Sequence, residues 1–173
     1  MAKTERPWKI VDAKNLILGR FCTQVAKLTL LGEKFVIINA KDAVISGHRN
    51  KILELYVHLR EIGDNSNPTH GPFHPNRPDT FLRRRLYKMM PKNARGKEAI
   101  KRIHVYISSI PKDSEAMYKN AVPFVPVKAS ADQITARYVT IADICDNMGW
   151  TRTGRTVARV AKLPAAAAPS KSK

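Results

Sequence analysis

The sequence predicts an α/β fold: a three-layer α/β/α sandwich around a small, mostly parallel four-stranded sheet, with basic loops and a C-terminal extension. A strand-like segment over 7–13 is followed by apolar residues at helical spacing over 18–31. The apolar run 35–38 is typical of a strand that is buried on both faces. Because the connections are short, these three segments form a strand–helix–strand unit, which is the building block of parallel sheets.

The remaining elements follow from the same periodicities and from turn residues. The pair 44–45 begins a short strand, and an apolar stripe at helical spacing covers 49–62. The segment 63–79 is predicted to be a loop, because it holds four prolines, two glycines and three asparagines. The later elements are helices over 80–90, 95–102 and 141–148, a strand over 103–107, an extended run over 122–127 and a strand within 132–141.

The charge balance points to a polyanionic partner. The chain has 173 residues, with 31 Lys and Arg against 14 acids and a net charge of +17. Such self-repulsion is explained if nucleic acid or an anionic membrane neutralises it in the working state. We expect no membrane association, because no apolar stretch approaches the ~20 residues that span a bilayer. The charged segment 1–6 also lacks the apolar core of a signal peptide.

The strongest chemical feature is the basic stretch 83–102, which contains nine Lys or Arg residues and a single acid, Glu98. It begins on a helix whose predicted apolar face is Phe81, Leu82, Leu86, Met89 and Met90. A charge run is commonly a solvated helix face. Here the near absence of interleaved acids favours contact with an RNA backbone, where the same cations release counterions and bind phosphates.

Two loops are further candidates for RNA contact. The proline-stiffened loop 69–78 carries His, Phe and Arg side chains, which suit stacking and phosphate contact between RNA helices. The turn at 46–51 precedes a helix with a basic start, which is typical of an anion site. The plain alternatives are an ordinary surface loop at 69–78 and an ordinary strand–helix connection at 46–51.

No metal, cofactor or catalytic site is predicted. Cys22 and Cys145 lack a CxxC partner and are expected to be small buried apolar residues in a reducing compartment. His70 and His74 have an H-x3-H spacing, but the prolines around them prevent the helix that would align both as zinc ligands. The sequence has no Walker A, G-x-G-x-x-G or G-x-S-x-G pattern and no suggestive pair of acids. We therefore expect no enzyme, no cofactor and no small-molecule substrate.

Two alternative functions stay open on the residues alone. A nucleotide-binding α/β enzyme would share the predicted sheet, although the glycine-rich phosphate loop is missing. A DNA-binding regulator would use 140–160 as a helix-turn-helix, although Gly154 interrupts its second helix.

Several segments together resemble the universal ribosomal protein L13 family of the large subunit. They are Trp8–Ala13, Leu18-Gly19-Arg20, Val25-Ala26, Val36–Ala40, Ile45-Ser46-Gly47, Arg49-Asn50-Lys51, Gly71–His74, Met89–Lys92 with Arg95-Gly96, and Ile103–Tyr106. The long helix after Asn50 and the Gly-Pro-Phe-His loop resemble the archaeal and eukaryotic branch, as does the segment 138–150. The tail matches nothing we can place.

The resemblance implies an α/β/α sandwich in one domain over 1–150, followed by a basic, low-complexity tail over 151–173. It also implies a structural protein of the cytoplasmic ribosome, which binds large-subunit rRNA, supports assembly and touches neighbouring ribosomal proteins. Three residues of the tail, Arg152, Arg155 and Arg159, are predicted to contact rRNA because of their charge alone. The residues predicted to contact rRNA are Arg20, His48, Arg49, Asn50, Lys51, His70, Phe73, His74, Arg77, Arg83, Arg84, Arg85, Lys88, Lys92, Arg95, Lys97, Lys101, Arg102, Arg152, Arg155 and Arg159.

Overall fold

The structure is a computed structural model, and it describes residues 6–63 and 66–151. The strands are β1 (Trp8–Asp12), β2 (Lys34–Ile38), β3 (Val44–Ser46), β4 (Ile103–Val105), β5 (Val122–Pro123) and β6 (Tyr138–Thr140). The helices are α1 (Leu18–Leu30), α2 (Arg49–Glu61), α3 (Pro78–Lys88), α4 (Ala94–Lys101), α5 (Lys112–Glu115) and α6 (Ile141–Asn147). Short 3-10 turns occupy Ala40–Asp42, Pro68–His70, Ala116–Tyr118 and Ala131–Gln133.

Four strands form one parallel sheet in the order β4-β2-β1-β5. Its centre is the pairing of β1 with β2, which runs in register from Trp8 opposite Lys34 to Asp12 opposite Ile38. The two remaining strands, β3 and β6, form a separate antiparallel ribbon in which Val44 lies opposite Thr140. The predicted α/β fold with a four-stranded parallel sheet is confirmed.

The main apolar cluster lies on one face of this sheet. Val11, Phe35 and Ile37 are fully buried there, because side chains alternate along a strand and these three share a face. They belong to the same apolar cluster as Phe21 of α1 and Leu82 of α3. Removing this much apolar surface from water is the main stabilising contribution to the fold.

The opposite face has a thinner cover, to which the 3-10 turn Ala116–Tyr118 contributes. Tyr118 of that turn is buried, with its ring centroid 5.2 Å from Trp8 and 6.0 Å from His104. Its hydroxyl also lies 3.1 Å from that of Tyr106. The two outer layers of the sandwich are therefore unequal, with full helices on one side and a short turn on the other.

Differences from the predicted elements are small and have local causes. Helix α3 begins at Pro78, two residues earlier than predicted, because proline suits the first turn of a helix. It ends at Lys88, so Met89 lies beyond the helix and is 42% exposed. The prediction that Met89 belongs to the apolar face of this helix was wrong. In the predicted run 122–127 only the first two residues pair as a strand. The predicted tail from 152 onward lies outside the described residues.

Candidate nucleic-acid interface

Helix α3 separates an apolar face from a basic one. Phe81, Leu82 and Leu86 point into the core, at the spacing that places side chains on one side of a helix. Arg83 and Arg84 lie between Leu82 and Leu86, Lys88 follows Leu86, and all three cations are exposed. Burial of the apolar face therefore fixes the direction in which these three cations project.

Helix α4 is joined to α3 by a tight turn that explains the Met-Pro-Lys-x-x-Arg-Gly stretch. The Asn93 side chain caps α4 by accepting a hydrogen bond from the Gly96 amide, with a distance of 3.0 Å. A Cβ atom at Gly96 would lie 1.8 Å from the Pro91 carbonyl oxygen, so only glycine fits this approach. Lys92 is exposed on this turn, and Lys97 and Lys101 are exposed on α4.

Six cations of this stretch are unpaired, and we call them the open cations. Each is exposed and makes no hydrogen bond or salt bridge to another described residue of the chain. Their charges are therefore available to an external anion and repel each other without one. The open cations are Arg83, Arg84, Lys88, Lys92, Lys97 and Lys101.

Other arginines are bound within the fold at the C-terminal end of α1. Arg95 donates to the Leu30 carbonyl at 3.0 Å, and Arg102 donates to the Thr29 carbonyl at 3.4 Å. Arg6, which the sequence did not single out, donates to the Leu31 carbonyl at 2.7 Å. The last carbonyls of a helix lack partners within it and carry partial negative charge, so cations stabilise them.

Arg85 is held between α2 and α3 and is only partly exposed. It donates to the Tyr56 hydroxyl at 2.7 Å, and its guanidinium carbon lies 5.1 Å from the ring centroids of both Tyr56 and Phe81. Burial raises the pKa of Tyr56, and the positive charge of Arg85 opposes that shift. We group Arg85 with Arg6, Arg95 and Arg102 as the anchored arginines.

Two further predicted arginines also have partners in the fold. Arg77, just before α3, donates from Nε and a terminal nitrogen to the Asp79 carboxylate at 3.2 and 2.8 Å. Arg20 on α1 is exposed and donates to the Lys128 carbonyl at 3.3 Å. That contact places Lys128 beside Arg20, which sequence reasoning missed because 108 residues separate them.

The loop 70–77 folds against α3 and α4, and together they form an open groove of about 470 Å³. His70 lies exposed on its 3-10 turn, outside the groove. Burial lowers the pKa of His74, and the neighbouring charges of Arg84, Lys88 and Arg85 lower it further. The lining residues are Phe73, His74, Pro75, Thr80, Arg83, Arg84, Tyr87 and Ile100.

The second predicted loop forms a separate group at the start of α2. His48, Arg49, Asn50 and Lys51 are all exposed, and the first turn of α2 contains no acid. The Gly47 amide donates to the Arg137 carbonyl at 2.7 Å, across the β3–β6 ribbon. Exposed Arg137 is thus brought to this turn, and no local sequence signal predicts that long-range pairing.

The remaining chemical groups behave as inert parts of the fold. Cys22 and Cys145 are fully buried, as predicted, and burial raises the pKa of both thiols. Within 6–63 and 66–151, no three His, Cys, Asp or Glu side chains are grouped as a metal site would require. No helix in the same ranges is both long and apolar enough to cross a membrane. The candidate tail residues Arg152, Arg155 and Arg159 lie outside these ranges.

The fold and the site define a basic α/β protein with an unpaired cationic surface. Residues 6–111 match the family described as Ribosomal protein L13. Large ribosomal subunit protein uL13 of Methanocaldococcus jannaschii is 39% identical over 142 residues, which are 81% of this chain and 96% of that protein. The protein of the same name from Methanococcoides burtonii is 40% identical over 143 residues, with 81% and 96% covered. The chain belongs to the ribosomal protein L13 family.

Family membership decides several of the predictions. The resemblance to this family is confirmed, and so is the prediction that the chain is not an enzyme, because the family consists of structural ribosomal proteins. The nucleotide-binding enzyme is thereby excluded as an alternative. The individual rRNA contacts of the predicted residues remain predictions.

Proposed function

We propose that this chain is a structural constituent of the large ribosomal subunit in the cytoplasm, where it binds and stabilises large-subunit rRNA and supports subunit assembly. Its partners are that rRNA and neighbouring large-subunit proteins. The relatives named above are large-subunit proteins, and the match to this chain covers nearly their whole length, which supports the location. The observation that carries the binding mechanism is the set of six open cations on α3, α4 and their connection.

The mechanism is neutralisation of phosphates. Each open cation that contacts a phosphate releases condensed counterions. For each such contact, log K therefore falls by roughly 0.7–0.9 for every tenfold rise in salt concentration. Arginine adds a bidentate fork that matches phosphate oxygens, and lysine adds a point charge. Arg83, Arg84 and Lys88 supply both kinds on adjacent turns of one helix.

The anchored arginines hold the helices that carry the open cations in place. They tie α4 to the end of α1, and α2 to α3, through hydrogen bonds to carbonyls and to Tyr56. The open cations therefore project from a fixed frame, which reduces the entropy lost when rRNA binds. The exposed start of α2 and the loop 70–77 are proposed as further contacts.

The test is the salt dependence of binding to in vitro transcribed large-subunit rRNA. Replacing Arg83, Arg84 and Lys88 by glutamine should lower affinity and reduce the slope of log K against log salt by roughly 2–3. The matched control replaces Lys14, Lys112 and Lys119 by glutamine; these are also exposed cations, and they lie outside the interface.

The control separates a local site from general attraction. Both triple variants lose the same formal charge, so a non-local effect would weaken them equally. Equal losses of affinity and of slope would contradict the proposed interface. Absence of the wild-type chain from large subunits in a sucrose gradient would contradict the proposed function as a whole.

A further inference from the structure

The groove between the loop 70–77 and helices α3 and α4 combines features that phosphate neutralisation alone does not need. Phe73 is 63% exposed and Tyr87 is 39% exposed, and both aromatic rings line the groove. Large aromatic side chains are usually covered, because their burial is strongly favourable. Two uncovered rings in one depression indicate a ligand with an apolar or π surface.

The charge around these rings has one sign. Arg83 and Arg84 line the same groove, and Lys88 lies close enough to lower the pKa of His74. No carboxylate lines the groove among the described residues. The ligand should therefore carry negative charge next to its flat surface.

The groove also has a polar group suited to a neutral partner. Burial and the surrounding cations hold the pKa of His74 below its ordinary value, so its imidazole is neutral near pH 7. A neutral imidazole offers one hydrogen-bond donor and one acceptor. A nucleobase edge presents the complementary groups.

The walls of the groove are ordered before any ligand arrives. Arg77 and Asp79 form a two-bond ion pair where the loop enters α3, and Pro75 restricts the backbone beside His74. The other wall is helix α3, whose opposite face is fixed in the core by Leu82 and Leu86. Preformed walls are typical of a specific binding site.

These features favour one occupant. The groove has a volume of about 470 Å³, which falls in the range of about 300–1,000 Å³ that small ligands fill. A base in a continuous duplex cannot enter, because its faces are covered by its neighbours in the stack. An apolar segment of a neighbouring protein would gain nothing from two unpaired arginines, whereas a nucleotide uses rings and cations together.

We propose that the groove binds a single unpaired nucleotide of rRNA, whose base stacks on Phe73, the more exposed of the two rings, while its phosphate contacts Arg83 and Arg84. The proposal rests on the rRNA-binding function proposed above and specifies what this part of the interface recognises. Phe73 would then select an extruded base, and the arginines would bind its backbone.

The experiment compares two RNA hairpins, of which one has a single-nucleotide bulge carrying 2-aminopurine and the other is fully paired. The full-length chain should bind the bulged hairpin about 10-fold more tightly, since base–aromatic stacking contributes on this scale. Stacking on a ring should also quench the 2-aminopurine fluorescence. Phe73→Ala should reduce the preference and the quenching, and Phe73→Trp should retain both.

A matched control is available at Val125, an apolar side chain that is 81% exposed and lies outside the groove. Val125→Ala should keep the full preference for the bulge. Circular dichroism and thermal melting of every variant would show that each is folded.

The outcomes distinguish the two proposals. If both hairpins bind with equal, salt-dependent affinity, the nucleotide site is wrong and the phosphate-binding function stands. If Phe73→Ala leaves the preference and the quenching unchanged, the site is wrong as well. If an apolar peptide competes for the groove and RNA does not, the occupant is a protein segment. If neither hairpin nor large-subunit rRNA binds, both proposals fail.

Discussion

The open cations and the anchored arginines come from the same stretch of sequence, yet they have opposite relations to the fold. Arg84 projects into solvent, whereas Arg85 beside it donates to Tyr56 and stacks on two rings. Lys97 is open, whereas Arg95 two residues earlier donates to the carbonyl of Leu30. A basic run is therefore not one functional unit, because neighbouring residues point to different surroundings.

The difference shows how a strongly charged protein distributes its cations. Guanidinium groups are weakly hydrated and carry several donors, so they can satisfy helix-end carbonyls at little desolvation cost. The anchored arginines stabilise the frame, and the open cations lower its stability by mutual repulsion until an anion arrives. Variants of the two sets should therefore separate folding from RNA binding.

The largest effect is expected at Gly96, which lies in α4 against the α3–α4 connection that positions both the open cations and the anchored arginines. Gly96→Ala should lower the free energy of unfolding by about 3 kcal/mol, because the new methyl group would collide with the Pro91 carbonyl oxygen. Urea denaturation of the purified chain would measure it. Gly19→Ala is the matched control, since nothing lies within 4 Å of a Cβ there. Equal stability of the two variants would contradict the close approach.

The second-largest effect is expected at Arg85, and its neighbour Arg84 provides the comparison. Arg85→Ala should destabilise the chain by about 2 kcal/mol, through lost stacking and the hydrogen bond to Tyr56. It should also raise the pKa of Tyr56 further, because the positive charge that opposes the effect of burial is gone. Denaturation and an ultraviolet pH titration of tyrosine would measure these changes.

Arg84→Ala is the control for Arg85→Ala. It should leave stability within about 0.5 kcal/mol of wild type, as for other exposed positions, while weakening rRNA binding. If Arg84→Ala unfolds the chain as readily as Arg85→Ala does, the distinction between open and anchored residues is wrong.

The sequence alone predicts those features that depend on local periodicity. Helix α1 and strand β2 appear within one residue of their predicted bounds, because their apolar spacing is unambiguous. The distinction between Arg84 and Arg85 could not be predicted, since it depends on Tyr56 of another helix. The placement of Arg137 and Lys128 likewise depends on contacts between distant segments. The error at Met89 arose because α3 ends at Lys88, two residues before its predicted end.

A smaller effect is expected at the end of α1. Arg95→Ala should lower the free energy of unfolding by about 1 kcal/mol, because the Leu30 carbonyl would lose a charged donor at a helix C-terminus. Arg95→Lys should recover part of the loss through its charge. The exposed Lys97→Ala is the control and should be close to neutral in denaturation. An identical loss in Lys97→Ala would show that Arg95 is not anchored.

The smallest effect concerns the pH dependence of RNA binding at His74. Burial and three nearby cations lower its pKa in the free chain, so the imidazole is neutral at pH 7. A phosphate bound beside Arg84 favours the protonated form and raises that pKa, so binding takes up a proton. Affinity should therefore rise as pH falls through the pKa of the bound state, by about twofold near its midpoint.

Two measurements check this expectation and connect it to the open cations. NMR titration should give His74 a pKa below the ordinary value, and Arg84→Gln should raise it, because a repelling charge is removed. In the bound state His74→Gln should flatten the pH dependence of rRNA affinity relative to wild type. An unchanged pH dependence in His74→Gln would show that no phosphate lies close to this side chain. The groove would then bind its ligand without a phosphate at Arg84.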